Sequence, residues 1–254
     1  MAVGPPGGSL VIAGGGQLGP EIWGTFLALA GGADAPIVVI PTAGGAPDYA
    51  ADWNGLNGLR AAGATNLIVL HTYDRAVGDS EEFARQIRAA RGVWFPGGRQ
   101  WRLVDSYLGT RTHRELVALL ERGGVIGGSS AGASIMASYL VRGAVEGNEI
   151  MMAPGYEEGF GFMREMAIDQ HHLTRNREND MLGVLAAHPR LLAIGIDEGT
   201  AAVVRGDTME VVGSSKIAVY DRPVTAAEPY YFLEHGARYD LRRRMVLSGT
   251  PVGR

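Results

Sequence analysis

Residues 125–139 read VIGGSSAGASIMASY, and this stretch constrains the fold more than any other part of the chain. Val125 and Ile126 form an apolar approach, followed by two glycines, two serines and an alanine, before the helix-compatible Ile135, Met136 and Ala137. That order suits a buried strand turning sharply into a helix. Gly128, Ser130 and Gly132 stand at G-x-S-x-G spacing. The glycines remove side chains that would collide in the turn, and the central serine is pushed to its apex. Ser130 is therefore a candidate nucleophile. A helix start leaves backbone N–H groups unpaired at the positive end of its dipole, so the N–H of Ala131 is a candidate oxyanion donor. A small-residue turn packed against a neighbouring strand has the same composition, so a catalytic serine here requires a base and an acid elsewhere in the chain.

The segments before this turn alternate in type. Apolar, β-branched runs occur at 9–13 (SLVIA), 36–40 (PIVVI), 66–71 (NLIVLH) and 92–95 (GVWF), with helical stretches at 22–30, 48–62, 81–90, 101–108 and 111–121. Alternation of this length predicts a parallel sheet covered on both faces, with ligand sites beyond the carboxyl ends of its strands. The expected fold class is α/β: a mainly parallel central sheet flanked by helices, with a strand, nucleophile elbow and helix at Ser130. A single domain over residues 1–254 is expected, with short strands joined by tight turns after Thr200.

The strand ends carry glycine loops. Gly14-Gly15-Gly16 has no lysine after it and lacks full dinucleotide spacing, so it reads as a loop that another segment approaches closely. In Pro96-Gly97-Gly98-Arg99-Gln100, successive glycines let backbone N–H groups face a ligand. Gly98 is thus a candidate second oxyanion donor, and Gln100 would point into the same space.

Composition narrows the chemistry. There is no cysteine, which excludes disulfides, thiolate catalysis and thiolate zinc sites. A net charge of -4 with no basic run gives no case for nucleic acid or an anionic membrane surface. No apolar run is long enough to span a bilayer, and the N-terminus does not read as a signal peptide, so a cytoplasmic location is expected. Lys216 is the sole lysine, which leaves histidine as the natural base.

A serine hydroxyl needs a neutral imidazole, and the imidazole needs a carboxylate to fix its tautomer. Of the six histidines, His113, His188 and His235 read as surface residues, while His71 closes a strand and could lie at the active edge. His171 has the strongest case, because it follows the strand end Ile168-Asp169 in a dense polar cluster, IDQHHLTRNR. His172 is the alternative. Asp197 and Glu198 both follow the apolar run 191–196, and position alone does not separate them as the acid.

With these motifs in order, GSLVIAGGG, PTA, GVWFPGGRQ, GGSSAGAS, IDQHHLTRNR and IGIDEGTAAVV, the chain resembles the cyanophycinase and dipeptidase E family of serine peptidases, and the cyanophycinase branch more closely. The resemblance implies a flavodoxin-like fold akin to class I glutamine amidotransferases, a homodimer, and no cofactor or metal. It makes Ser130 the nucleophile, His171 the base and Glu198 the orienting acid. It places Gln100, Asp169, Gln170, Arg175 and Arg177 around a β-linked aspartyl residue. The implied partner is a small peptide or polymer with aspartyl groups. Cyanophycin, a polyaspartate backbone with arginine on each β-carboxyl, is the family's substrate, from which it releases β-Asp-Arg dipeptides.

Two positions depart from the family pattern. Arg99 stands where an acidic residue is common, and Asp180 where a third arginine is common. Asp180 is expected to neutralise Arg99 or Arg177, or to meet a cationic group on the substrate. Other readings of the same residues are a non-catalytic binder of acidic peptides, an amidase with another small substrate, and an amidotransferase-like enzyme, the last disfavoured by the missing cysteine. A metal site built from His171, His172 and Asp169 is disfavoured because adjacent side chains on an extended segment diverge.

Overall fold

The computed structural model describes residues 2–253. Its first half alternates strands and helices: β1 (Ser9–Ala13), α1 (Pro20–Ala30), β2 (Ile37–Val39), α2 (Asn57–Ala61), β3 (Leu67–Val69), α3 (Arg75–Gly78), α4 (Glu81–Ala89), β4 (Gly92–Phe95), α5 (Gln100–Tyr107), α6 (Arg111–Glu121) and β5 (Val125–Ser129). A four-residue helix, α7 (Ala131–Ser134), follows Ser130 and leads to β6 (Ala137–Tyr139) and β7 (Met163–Gln170). Beyond them lie α8 (Asp180–Ala187), β8 (Leu192–Ile196), β9 (Thr200–Arg205), β10 (Thr208–Gly213), β11 (Ile217–Tyr220), β12 (Tyr231–Leu233), β13 (Arg238–Asp240) and β14 (Met245–Ser248).

These strands form two sheets. The larger has nine strands in the order β14-β13-β10-β9-β1-β5-β4-β2-β3, and the smaller has five in the order β12-β11-β8-β7-β6. In the larger sheet β3, β2, β4, β5 and β1 run parallel, while β9, β10, β13 and β14 extend it antiparallel. The mixed α/β architecture with helices on the sheets matches the alternation in the sequence. The expectation of one mainly parallel sheet needs correction. The β9–β10 connection at Gly206 and Asp207 is a tight turn, too short for the crossover that a parallel pair requires, so the extension reverses direction.

Strand periodicity explains the layers. In β1, Leu10 and Ile12 enter the core that also holds Phe83, Leu103, Leu116 and Leu119 from α4, α5 and α6, while Val11 and Ala13 join Ile22, Phe26 and Leu59 from α1 and α2. A strand covered on both faces reads as a continuous apolar run, as SLVIA does. The smaller sheet repeats this: Leu192, Ile194 and Ile196 share the first core, and Ala193 faces Val184 and Leu185 of α8.

Two expected helices are shorter than the sequence suggested. Within 48–62 only Asn57–Ala61 is α-helical, preceded by a 3₁₀ turn at Asn54–Leu56, because Gly55 and Gly58 weaken the helix. Residues 135–137 do not extend α7. The carbonyls of Ile135, Met136 and Ala137 accept N–H bonds from Phe160, Met163 and Gly161, so the segment leaves the helix to form β6.

At the turn, Ser130 has φ 56° and ψ -117° between β5 and α7. A Cβ on Gly132 would sit 2.0 Å from the carbonyl oxygen of Phe95, and one on Gly128 2.5 Å from that of Gly132. Backbone cannot yield as a flexible side chain can. Gly132→Ala is therefore expected to destabilise the protein by roughly 1–3 kcal/mol or more, the cost of overpacking a well-filled site. A urea midpoint equal to that of the parent would contradict the close approach.

Candidate active site

The two sheets bring their carboxyl ends together. Ser130 follows β5 of the larger sheet, while His171 follows β7 and Glu198 follows β8 of the smaller one. The expectation of a single shared sheet edge is thus replaced by a junction. The loop after β1 makes the join: Gly14 accepts from the N–H of His171 (3.0 Å), Gly15 accepts from Gly199 (3.0 Å), and the Gly14 N–H donates to Thr200 (3.0 Å). A Cβ on Gly15 would lie 2.3 Å from the His171 ring, and one on Gly16 2.4 Å from Glu198 Oε2. The glycine triplet is the closely approached loop that its sequence suggested.

Across this junction His171 bridges the other two residues. Its Nδ1 is 2.5 Å from Glu198 Oε1 and its Nε2 is 2.9 Å from Ser130 Oγ. A carboxylate only accepts, so Nδ1 carries the proton and Nε2 is left to accept from the serine hydroxyl. Burial lowers the His171 pKa most; the bond to Glu198 opposes this, the positive charge of Arg175 and Arg177 adds to it, and the net shift is downward. The imidazole is consequently neutral over a wider pH range than an ordinary histidine.

Asp197, open as an alternative acid, is committed elsewhere. It accepts from Thr174 N–H (2.8 Å), Thr174 Oγ1 (2.9 Å) and Ser215 Oγ (2.7 Å), which fastens the segment after His172 to the end of β8. Burial would raise its pKa, but these bonds outweigh burial and lower it. His172 points away from Ser130, between Tyr220 Oη at 2.7 Å and Asp169 Oδ2 at 3.4 Å. The two adjacent histidine rings thus diverge.

The glycine loop after β4 runs beside the serine. A Cβ on Gly97 would be 3.1 Å from Ser130 Cβ, and Gly98 has φ 144°, with its backbone against the Ala43 carbonyl. Arg99 N–H donates to that carbonyl at 2.9 Å, which ties the loop to the 3₁₀ turn Pro41–Gly44 that follows β2. The Arg99 side chain reaches the carbonyls of Ala144 (2.6 Å) and Val145 (3.2 Å).

The remaining expected residues separate into four groups. Gln100 is buried, with neither amide atom paired. Arg177 is buried, with Nη1 donating to Gln170 O (3.0 Å) and Gln170 Oε1 (3.2 Å) and with Nε unpaired. Arg175 is exposed, its N–H donating to His171 O at 3.0 Å.

Asp169 and Asp180 share a partner that sequence reasoning missed. The fully buried Arg142, in a left-handed backbone conformation with φ 60°, reaches Asp169 from Nε (2.7 Å) and Nη2 (3.1 Å), and Asp180 from Nη2 (2.6 Å). Asp180 therefore pairs with Arg142 and with neither Arg99 nor Arg177. Burial alone would raise the Asp169 pKa, but His172 and Arg142 outweigh it and hold the carboxyl far below its usual range. The only signal in the sequence was one arginine among apolar and small residues, Leu140-Val141-Arg142-Gly143. His113, expected at the surface, is half-buried, with Nε2 2.8 Å from Phe160 O.

The model of peptidase family S51 matches residues 10–212. The chain belongs to peptidase family S51. Among sequence relatives of this S51 peptidase, the cyanophycinase of Geminocystis herdmanii is 31% identical, the match covering 91% of this chain and 92% of the relative. That of Trichormus variabilis is 30% identical over 91% and 84%. In fold, the S51 chain is similar to a peptidase from an acI-B1 actinobacterium, with TM-score 0.71, 24% identity and coverage of 92% and 97%. A protein described as a putative peptidase E from Listeria monocytogenes matches with TM-score 0.56, 16% identity and coverage of 82% and 100%. Among the described residues no helix is long and apolar enough to cross a membrane.

The Arg142 cluster makes a prediction for this S51 peptidase. Removing one member of a buried ion pair leaves the other charged and unsolvated, at a cost of about 3–5 kcal/mol. Arg142→Met is expected to lose stability in that range, and Arg142→Met with Asp169→Leu to recover part of it. Chemical denaturation of the three proteins measures both. If Arg142→Met alone were as stable as the parent, the pair would not be holding the fold.

Proposed function

We propose that the protein is a serine-type peptidase that hydrolyses β-aspartyl or closely related acidic amide bonds. The observation that carries this reading is His171 standing between Ser130 Oγ and the Glu198 carboxylate, with bonding distance on both sides. In the mechanism, Ser130 Oγ attacks the amide carbonyl carbon while His171 Nε2 takes its proton. The N–H groups of Gly98 and Ala131 receive the developing oxyanion. His171 then gives the proton to the departing amine nitrogen, and the C–N bond breaks to leave an ester on Ser130. Water, deprotonated by His171, attacks the ester, and the proton returns to Ser130 as the acid product leaves. Glu198 fixes the tautomer and stabilises the imidazolium that forms twice in the cycle.

The acidic acyl side is supported by two cations whose charge reaches His171, Arg175 and Arg177, and by orphaned buried polar atoms. Arg175 is free to meet a substrate carboxylate at the surface, and Arg177 and Gln100 hold buried polar atoms without partners. The names of the sequence relatives support cyanophycin or its fragments as the substrate class. A homodimer is proposed on the resemblance to the family, and a cytoplasmic location on the sequence, which does not read as carrying a signal peptide. The acidic net charge supports a partner other than nucleic acid.

Ser130→Ala is expected to lower kcat/KM on a β-Asp-Arg substrate by roughly 10⁴-fold or more, and Glu198→Gln by a smaller factor of about 10²–10⁴. Mass spectrometry of the products, with an α-linked dipeptide as control, checks both the chemistry and the linkage. Near-normal turnover by Ser130→Ala would remove the nucleophile assignment. Cleavage of the α-linked control alone would remove the β-aspartyl one.

The pH profile gives an independent test. Activity requires neutral His171, so kcat/KM falls as pH drops through the histidine pKa, which burial and the nearby arginines depress. The acid limb should therefore lie below the ordinary histidine range. Arg175→Gln takes away a like charge, favours the imidazolium and should move that limb to higher pH. A limb at or above the ordinary value in the parent would contradict the assigned base.

A further inference from the structure

One carboxylate in this region comes from the surface. Glu149 has a side chain 77% exposed, yet its carboxylate lies 3.2 Å from Arg177 Nη2 and 3.8 Å from Arg142 Nη1, whose side chains are 2% and 0% exposed. The loop that carries it is held beside the Gly97-Gly98 turn, since Arg99 bonds the carbonyls of Ala144 and Val145. Glu149 is thus an acid of the chain itself, reaching inward to two buried cations, one of which, Arg177, acts on His171 through its charge.

The two arginines are not equally satisfied. Arg142 spends its donors on Asp169, Asp180 and the carbonyl of Asn148. Arg177 gives Nη1 to Gln170 and Nη2 to Glu149, while Nε is buried without a partner. The Nε–Nη2 edge of a guanidinium is a two-donor fork that fits both oxygens of one carboxylate. Glu149 meets only one side of that fork. Ion pairs with a solvent-exposed member are held weakly, and an unpaired buried N–H is costly. A ligand carboxylate that meets both donors therefore has the advantage over Glu149, which can leave by rotating an exposed side chain.

We propose that Glu149 is a substrate-mimicking gate: it occupies the Arg177 fork, and the free carboxylate of an acidic substrate binds by displacing it. This rests on the acidic acyl-side reading above and adds the residue that sets how tightly a carboxylate must bind to enter. Competition of this kind gives specificity, because a ligand without a carboxylate has nothing with which to replace the charge that Glu149 supplies.

Isothermal titration calorimetry with L-aspartate tests the gate without turnover. Three proteins are compared: the parent, Glu149→Gln, and Glu146→Gln, the last removing an exposed acid of the same loop that makes no ion pair with Arg142 or Arg177. The expected result is a Kd for L-aspartate lower by about five-fold or more in Glu149→Gln, and changed by less than about two-fold in Glu146→Gln. Equal tightening in both variants would mean a diffuse field effect and overturn the gate, as would unchanged or weaker binding in Glu149→Gln, or no binding to any of the three. Turnover of a β-Asp-Arg substrate is measured alongside. Tightening in Glu149→Gln with no turnover in any protein would leave the gate standing and remove the β-aspartyl reaction. Turnover by the parent without tightening would do the reverse.

Discussion

The site depends on the backbone bonds that the loop after β1 makes to the segments just past the carboxyl ends of β7 and β8. Gly14 and Gly15 accept from His171 and Gly199, and Gly14 donates to Thr200, so one loop of the larger sheet fixes the residues that flank the histidine and the glutamate. Ser130 is tied to the same strand, its N–H donating to Ala13 O at 3.1 Å. The three side chains are separated by up to 68 positions in sequence, yet all are referenced to β1. Hydrogen bonds through backbone hold a position better than contacts through long side chains, because fewer torsions intervene. Precision of this kind is what the proposed transfer of a proton between Ser130 and His171 demands.

What was legible in the sequence follows from that arrangement. Each residue of the Ser130, His171 and Glu198 set lies just past an apolar run, and a strand end is a local signal that a single sequence displays. The glycine loops were visible for the same reason. The partition into two sheets was not, because β6, β7 and β8 are parallel to one another and read like a continuation of the first sheet. Only the pairing of β1 with β9, which closes the larger sheet against that continuation, decides the matter, and strand pairing has no local signature.

The charge arrangement was less legible still. Asp169, Arg142 and Asp180 come from β7, the loop after β6 and the start of α8, and nothing in any one segment names the others. The departure at position 180 suggested a rearranged pocket, which is where the structure differs most from expectation: the aspartate is matched by an arginine 38 positions earlier. The Asp180 carboxylate shares with Asp169 the charge of one buried guanidinium. Charge introduced at one element is answered from another, so substitution at either position is not independent of the other.

Backbone strain marks the same place. Ser130 and His171 both have positive φ, 56° and 52°, without being glycine. Such conformations cost about 1–3 kcal/mol each and persist only where the surroundings over-determine them. Here they do: the Ser130 N–H is held by Ala13, that of His171 by Gly14, and the His171 ring lies where a side chain on Gly15 would be. Relaxing either residue to an ordinary φ would swing its side chain off the shared hydrogen bond. A glycine at either position would relieve the strain and delete the functional group at once. The fold therefore keeps two strained residues with their chemistry and puts its glycines in the segments that pass beside them.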